Sequence, residues 1–176
     1  MCANTIAERL DRGNGRVCVD LYIAVDEVDK GVVRIALFEE MPHLSCNFVL
    51  LAKGKKYDGT KIFKAKAGYY LQGGDIEFNC GVGGYSAFGP KIHEEKMLKG
   101  EFNKPFRVGM MTVGPHTVGS QFFITTAPTP WLENHYPVFG EVIDGEALIL
   151  ELEKLPTNSE HYLLSEVIVT RAVVVN

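Results

Sequence analysis

Short runs of apolar and β-branched residues, separated by glycine-containing turns, recur along this chain of 176 residues. The runs Arg16–Val25 and Gly31–Phe38 are joined by the polar residues 26–30, a pattern that predicts a β-hairpin. Further strands are predicted at Lys61–Lys66, Tyr69–Gln72, Phe106–Thr112, Gln121–Thr126 and Val138–Val142. The last run, Glu166–Val175, is so apolar that an unpaired edge there would promote aggregation. The sequence therefore predicts a mostly β fold whose sheet closes, or nearly closes, into a barrel.

Two segments have helical patterns. Pro42, a residue favoured in the first turn of a helix, precedes apolar residues at the spacing of one buried face, and Gly54 follows as a stop. These apolar residues are Leu44, Phe48, Leu51 and Ala52. The segment Glu146–Leu155 predicts a second helix with a crowded apolar side. We expect both helices to lie at the ends of the barrel.

Composition narrows the class of protein. The formal net charge of −4 argues against a dedicated nucleic-acid binder, and no apolar stretch is as long as the roughly 18–20 residues of a membrane span. The first residues lack the apolar segment of a secretory signal. We therefore expect a cytoplasmic or nuclear monomer that binds neither nucleic acid nor membrane. We expect residues 1–15 to be an N-terminal extension and residues 16–176 a single domain.

Several common chemistries lack their motifs. Gly81–Gly84 is rich in glycine but no helical pattern follows it, so we interpret it as a flexible surface loop rather than a phosphate cradle. The five histidines share no metal-ligand spacing, and the four cysteines form no C-x-x-C pair. No G-x-S-x-G nucleophile motif is present. We predict neither a metal nor a cofactor.

Two blocks carry a far more specific pattern. The first contains Gln72-Gly73-Gly74-Asp75 and the second contains the residues 119–125, Gly-Ser-Gln-Phe-Phe-Ile-Thr. In content, order and spacing the chain resembles the cyclophilins, which are peptidyl-prolyl cis/trans isomerases that bind cyclosporin. The resemblance spans residues 16–174 and implies a closed eight-stranded antiparallel β-barrel capped by two α-helices.

The chemistry implied by the resemblance is rotation about an Xaa-Pro bond. Amide resonance raises the barrier to about 18–20 kcal/mol. In the twisted transition state the prolyl nitrogen loses resonance and becomes basic. A catalyst therefore needs an apolar pocket for the proline ring, groups that hold the flanking chain, and a cation that bonds the nitrogen only when the bond is twisted.

The resemblance places the catalytic groups on Lys64 and Gln72. Lys64 stands where the family has an arginine, so a mobile point charge replaces a planar fork. The implied substrate-binding residues are Tyr69, Tyr70, Met111, Thr112, Gln121, Phe123, Trp131, Leu132 and Tyr136. Of these, Tyr70, Met111, Thr112 and Tyr136 also depart from the usual family residues.

Two functions therefore stay open at this point. The first is a prolyl isomerase of reduced activity in protein folding or conformational switching. The alternative is a non-catalytic module that binds proline peptides within a protein complex. In both cases the expected partners are proline-containing peptides or proteins, with weak binding of cyclosporin. A scaffold without any peptide site is the third and least favoured reading.

Overall fold

Eight strands form one sheet in the part of the chain that the computed structural model describes, residues 16–89, 101–112 and 118–175. They are β1 Cys18–Val25, β2 Val28–Leu37, β3 Thr60–Lys66, β4 Tyr70–Gly73, β5 Arg107–Thr112, β6 Val118–Thr125, β7 Val138–Asp144 and β8 Tyr162–Val175. All neighbours are antiparallel in the order β1-β2-β7-β5-β6-β4-β3-β8, and β8 pairs with β1. The predicted closed barrel is confirmed. The predicted extension at residues 1–15 lies outside the described residues.

The first hairpin is tighter than the sequence predicts. Only Asp26 and Glu27 separate β1 from β2, and their φ angles of 48° and 68° are both positive. Two-residue turns of this kind match the right-handed twist of the flanking strands. The prediction that residues 26–30 form the connection was therefore wrong, because residues 28–30 continue the ladder. A bulge follows where Ile23 faces Gly31 and Ala24 faces Asp29.

Two α-helices accompany the barrel in the described part of the chain. Helix α1, Pro42–Lys53, begins with Pro42 in its first turn and buries Leu44, Phe48, Leu51 and Ala52 as predicted. Helix α2, Glu146–Leu152, is three residues shorter than the predicted Glu146–Leu155. Its chain leaves the α-helix through a bond from the Leu155 amide to the Leu152 carbonyl, because Pro156 disfavours a helical conformation at the residue before it.

An aromatic cluster joins α1 to the barrel interior. The Phe48 ring lies 4.9 Å from Tyr57, 5.4 Å from Phe122 and 5.2 Å from Phe139, measured between ring centroids. All four side chains are fully buried. Each such contact adds about 0.5–1.5 kcal/mol beyond the burial of apolar area. Because Phe122 faces this cluster, strand alternation directs its neighbour Phe123 to the other face of β6.

No helix of the described residues is long and apolar enough to span a lipid bilayer. Within those residues there is also no group of three or more histidine, cysteine or acidic side chains that could hold a metal ion.

Candidate active site

A row of side chains crosses one face of four adjacent strands. Tyr162 on β8 pairs with Lys64 on β3, Lys64 pairs with Gln72 on β4, and Gln72 pairs with Phe123 on β6. Directly opposed residues of antiparallel strands project to the same side of a sheet. The barrel register therefore brings residues from both predicted blocks, and Tyr162, into one line.

A β-bulge on β3 directs Lys64 to this face. Ile62 pairs with Gly73 and Lys64 pairs with Gln72, so two steps along β3 match one step along β4. Ile62 is part of the hydrophobic core. In a regular strand Lys64 would share the inward face of Ile62, since side chains alternate with a period of two. The extra residue, Phe63, turns Lys64 away from the core, as bulges near active sites commonly do.

A cavity of about 240 Å³ opens beside this row. Its walls are mostly aromatic or apolar, with polar groups at a few positions. The lining residues are Lys66, Tyr69, Tyr70, Gln72, Met111, Phe123, Leu132, Tyr136 and His161. The cavity therefore brings together most of the predicted substrate-binding residues and the predicted catalytic residue Gln72.

The floor of the cavity depends on the missing side chain of Gly109. This residue pairs with Phe123 across β5 and β6. A Cβ atom at position 109 would lie 2.3 Å from the Phe123 Cζ atom, far inside van der Waals contact. The ring also stacks on Phe102 at 6.0 Å and meets Tyr136 edge to face at 5.4 Å. Phe123 is therefore held in one orientation from three sides.

Two glutamines form a buried polar chain behind the cavity. Gln72 Nε2 donates to Gln121 Oε1 at 3.1 Å, and Gln121 Nε2 donates to the Gly83 carbonyl at 2.6 Å. Gln121 does not line the cavity. Its contacts instead fix the amide of Gln72, whose carbonyl oxygen has no partner among the described residues. Gln72 can therefore accept a hydrogen bond from a peptide.

The loop that supplies Gly83 is organised by Asp75, the last residue of the first block. Its carboxylate accepts backbone N–H bonds from five residues of the loop. These residues are Glu77, Phe78, Cys80, Gly81 and Gly83. Burial alone would raise the pKa of Asp75, but the hydrogen bonds from these amides outweigh it and lower the pKa. Gly81–Gly84 was predicted as a flexible surface loop. It is a loop, but Gly83 is buried and tied to Asp75.

The Lys64 ammonium lies away from the cavity in this structure. Its Nζ atom is 4.5 Å from the centroid of the Tyr162 ring, and Lys64 is not among the cavity-lining residues. It makes no ion pair with a carboxylate of the described residues, whereas Lys61 on the same strand pairs with Glu166 at 2.7 Å. Among the described residues, the Tyr162 ring is therefore the group that stabilises this charge.

Trp131 and Thr112 are also outside the cavity lining. Trp131 is 59% exposed, and its Nε1 donates to the Tyr69 hydroxyl at 3.1 Å. Trp131 thus supports the aromatic wall from outside.

The pKa of Tyr70 is raised, first by burial and then by the neighbouring tyrosines 69, 136 and 162, so its hydroxyl stays protonated and able to donate at neutral pH.

Two cavity residues are not among the predicted site residues. Lys66 is two residues after Lys64 on β3 and pairs with Tyr70, so the alternation of the strand was a usable signal. His161 lies far along the chain in the turn before β8. Nothing local in the sequence marks His161 as part of the cavity.

A family model described as cyclophilin type peptidyl-prolyl cis-trans isomerase matches residues 21–174. The match covers most of the chain, including every strand pair that builds the row and the cavity. It agrees with the barrel topology and with the two helices. The chain belongs to the cyclophilin-type peptidyl-prolyl cis-trans isomerase family.

Proposed function

We propose that this protein is a peptidyl-prolyl cis/trans isomerase of reduced activity, with Lys64 supplying the cation. One observation supports it most strongly. An aromatic cavity floored by Phe123 lies in strand register with Gln72 and Lys64, so the three functions that isomerisation needs are adjacent.

The proline ring enters the cavity against Phe123, Leu132 and Met111. The Gln72 carbonyl oxygen accepts a hydrogen bond from the flanking peptide and fixes the chain on one side of the bond. The part of the peptide on the other side of the Xaa-Pro bond then rotates. As the prolyl nitrogen loses resonance, the Lys64 ammonium donates to it, and this bond is stronger in the transition state than in the planar ground state.

For this donation Lys64 must leave the ring of Tyr162. A cation–π contact is worth about 0.5–1 kcal/mol at exposed sites and about 2 kcal/mol when desolvated. That cost is small beside the barrier of about 18–20 kcal/mol, yet it lowers the rate. Lysine also lacks the fixed fork of arginine. Both effects support an isomerase of reduced rather than normal activity.

The non-catalytic peptide-binding module is the second candidate. The position of the Lys64 ammonium over Tyr162, outside the cavity lining, favours it. If that position is kept when a peptide binds, the cavity holds proline without any donor to the nitrogen.

Cyclosporin is proposed as a weak ligand. Trp131 and the aromatic wall offer apolar contact area, while Tyr136 and Lys64 stand in place of the usual histidine and arginine. Isothermal titration calorimetry measures this affinity, and submicromolar binding would contradict the proposal of a weakened site.

Exchange NMR on an Xaa-Pro peptide separates the two candidates. We expect peptide resonances to shift when the protein is added, and cis/trans exchange to exceed the uncatalysed rate. The Phe123→Ala variant removes the cavity floor and should lose both effects. Shifted resonances with exchange at the uncatalysed rate would leave only the binding module.

A further inference from the structure

Two basic residues outside the predicted site lie at the cavity. Lys66 on β3 and His161 before β8 both line it, next to Tyr69 and Tyr70. Neither is needed for the mechanism proposed above. Their placement at a peptide groove therefore bears on which peptides the groove accepts.

The charge of Lys66 is available to a ligand. Lys66 is exposed, and its ammonium lies 5.4 Å from the centroid of the Tyr69 ring. It makes no ion pair with a carboxylate of the described residues. Tyr69 is itself held by Tyr70 and Trp131, so the ring beneath the ammonium has a fixed position.

The backbone at His161 is held at the cavity by its own turn. Asn158 Oδ1 accepts N–H bonds from Glu160 at 2.9 Å and Tyr162 at 3.0 Å. The Ala65 amide on β3 donates to the His161 carbonyl at 3.0 Å. His161 adopts a positive φ of 66°, which is uncommon for residues other than glycine. The turn thus fixes His161 beside β3 and the cavity, at a conformational cost.

The local charge opposes the charge of the whole chain. The protein has a formal net charge of −4, yet Lys64 and Lys66 are adjacent on one face of β3, with His161 beside them. Of the acidic residues in this part of the chain, Glu153 accepts a hydrogen bond at Oε2 from the Gly68 amide at 2.9 Å, and Glu160 in the turn is exposed. Neither glutamate forms an ion pair with Lys66, so the ammonium at the cavity wall has no carboxylate partner among the described residues.

We infer that the groove selects Xaa-Pro peptides that carry an anionic side chain, a carboxylate or a phosphate, next to the proline, with Lys66 and His161 as the specificity-determining residues. The inference rests on the proposed function, because it assumes that the cavity holds the proline. An anion beside the bound proline reaches Lys66 at the cavity wall, whereas a cationic side chain meets like charge.

Blocked peptides that differ only beside the proline test this inference. One set places Glu, Gln, Lys or phosphoserine before the proline, and a second set places the same residues after it. For one of the two sets we expect the Glu peptide to bind about two- to fivefold more tightly than the Gln peptide, the range of an exposed ion pair. Phosphoserine should bind at least as tightly as Glu, and Lys more weakly than Gln. The preference should shrink as salt is added.

Variants assign the preference to the groove. Lys66→Met should bring Glu and Gln peptides within about twofold, and Lys66→Glu should reverse the order of Glu and Lys peptides. His161→Ala should weaken the preference without abolishing proline binding. Lys56→Glu changes the net charge equally but lies after α1 and does not line the cavity, so it should leave the preference unchanged.

Equal affinity for the Glu, Gln and Lys peptides of both sets would overturn this inference and leave the proposed function intact. A preference that survives in Lys66→Glu would also overturn it, since the selectivity would then come from elsewhere. Failure of every proline peptide to bind would overturn the proposed function as well.

Discussion

At the scale of single residues, the site depends on how a lysine is held where the family has an arginine. The Tyr162 ring binds the Lys64 ammonium at 4.5 Å, on the side of the row opposite to Phe123. In the proposed mechanism the ammonium leaves the ring to reach the prolyl nitrogen, so the contact would stabilise the ground state and not the transition state. Tyr162 is therefore expected to restrain the rate rather than assist it.

The Tyr162→Leu variant tests this restraint. Removing the ring should raise kcat about two- to fivefold, the equivalent of an exposed cation–π contact, with little change in KM. The matched control is Tyr162→Phe, which keeps the ring and loses only the hydroxyl, and should behave like the wild type. A lower kcat in Tyr162→Leu would mean that the ring positions Lys64 for catalysis.

Gly109 offers a second test at this scale. A Cβ atom in Gly109→Ala would overlap the Phe123 ring, so the ring must move into the cavity. We expect a loss of about 1–3 kcal/mol in the free energy of unfolding, as for other overpacked sites, and a loss of peptide binding. Urea denaturation and peptide titration measure the two effects.

The double variant Gly109→Ala/Phe123→Leu separates them. The leucine at position 123 is smaller than phenylalanine, so much of the lost stability should be recovered. Peptide binding should not be recovered, because the aromatic floor of the cavity is gone. Equal free energies of unfolding for Gly109→Ala and the wild type would contradict the close packing of the Phe123 ring against position 109.

At the scale of elements, the loop that follows β4 and runs to about residue 84 is joined to the site by one carboxylate, that of Asp75. Asp75 accepts the loop amides, the loop presents the Gly83 carbonyl to Gln121, and Gln121 fixes Gln72. Substitution of Asp75 should therefore lower the free energy of unfolding. It should also leave the side chain of Gln72 less firmly held.

The Asp75→Asn variant tests this connection. An amide nitrogen in place of Oδ2 would face N–H groups that need an acceptor, so we expect a loss of about 1–3 kcal/mol in the free energy of unfolding. Since the pKa of Asp75 is lowered in the folded state, its stabilisation is present above its unfolded pKa and disappears as the pH falls through the folded value.

Urea denaturation between about pH 2 and pH 7 should therefore show a shallower loss of stability in acid for Asp75→Asn than for the wild type. Glu39→Gln is the control and should keep the wild-type slope, because the exposed Glu39 side chain makes no hydrogen bond or ion pair with the described residues. The same slope in Asp75→Asn and wild type would contradict the role assigned to this carboxylate.

Elements also mark the limit of prediction from the sequence. The strands, α1 and the two blocks could be predicted because their signals are local: periodicity, Pro42, and the residues around Gln72 and Phe123. The hairpin turn was misplaced because Asp26 and Glu27 take positive φ without glycine. The bulge at Phe63 and the position of His161 could not be predicted, since both depend on register between strands far apart in the chain.

At the scale of the whole molecule, barrel closure assembles the site. Lys64 and Gln72 come from β3 and β4, Phe123 from β6, and Tyr162 from β8 after a long intervening segment. The family match over residues 21–174 includes all four of these residues. The resemblance to the family implies that the departures at the site are Lys64, Tyr70, Met111, Thr112 and Tyr136. The monomeric state and the cytoplasmic location stay predictions.

In the proposed function, the Lys64 ammonium accelerates rotation about the Xaa-Pro bond. The most direct measurement is the cis/trans exchange rate of one bound peptide by NMR, compared for the wild type, Lys64→Arg and Lys64→Ala at equal saturation. We predict a rate above the uncatalysed value for the wild type, a higher rate for Lys64→Arg, whose planar fork is better preorganised, and the uncatalysed rate for Lys64→Ala. Equal rates for all three proteins would contradict the claim.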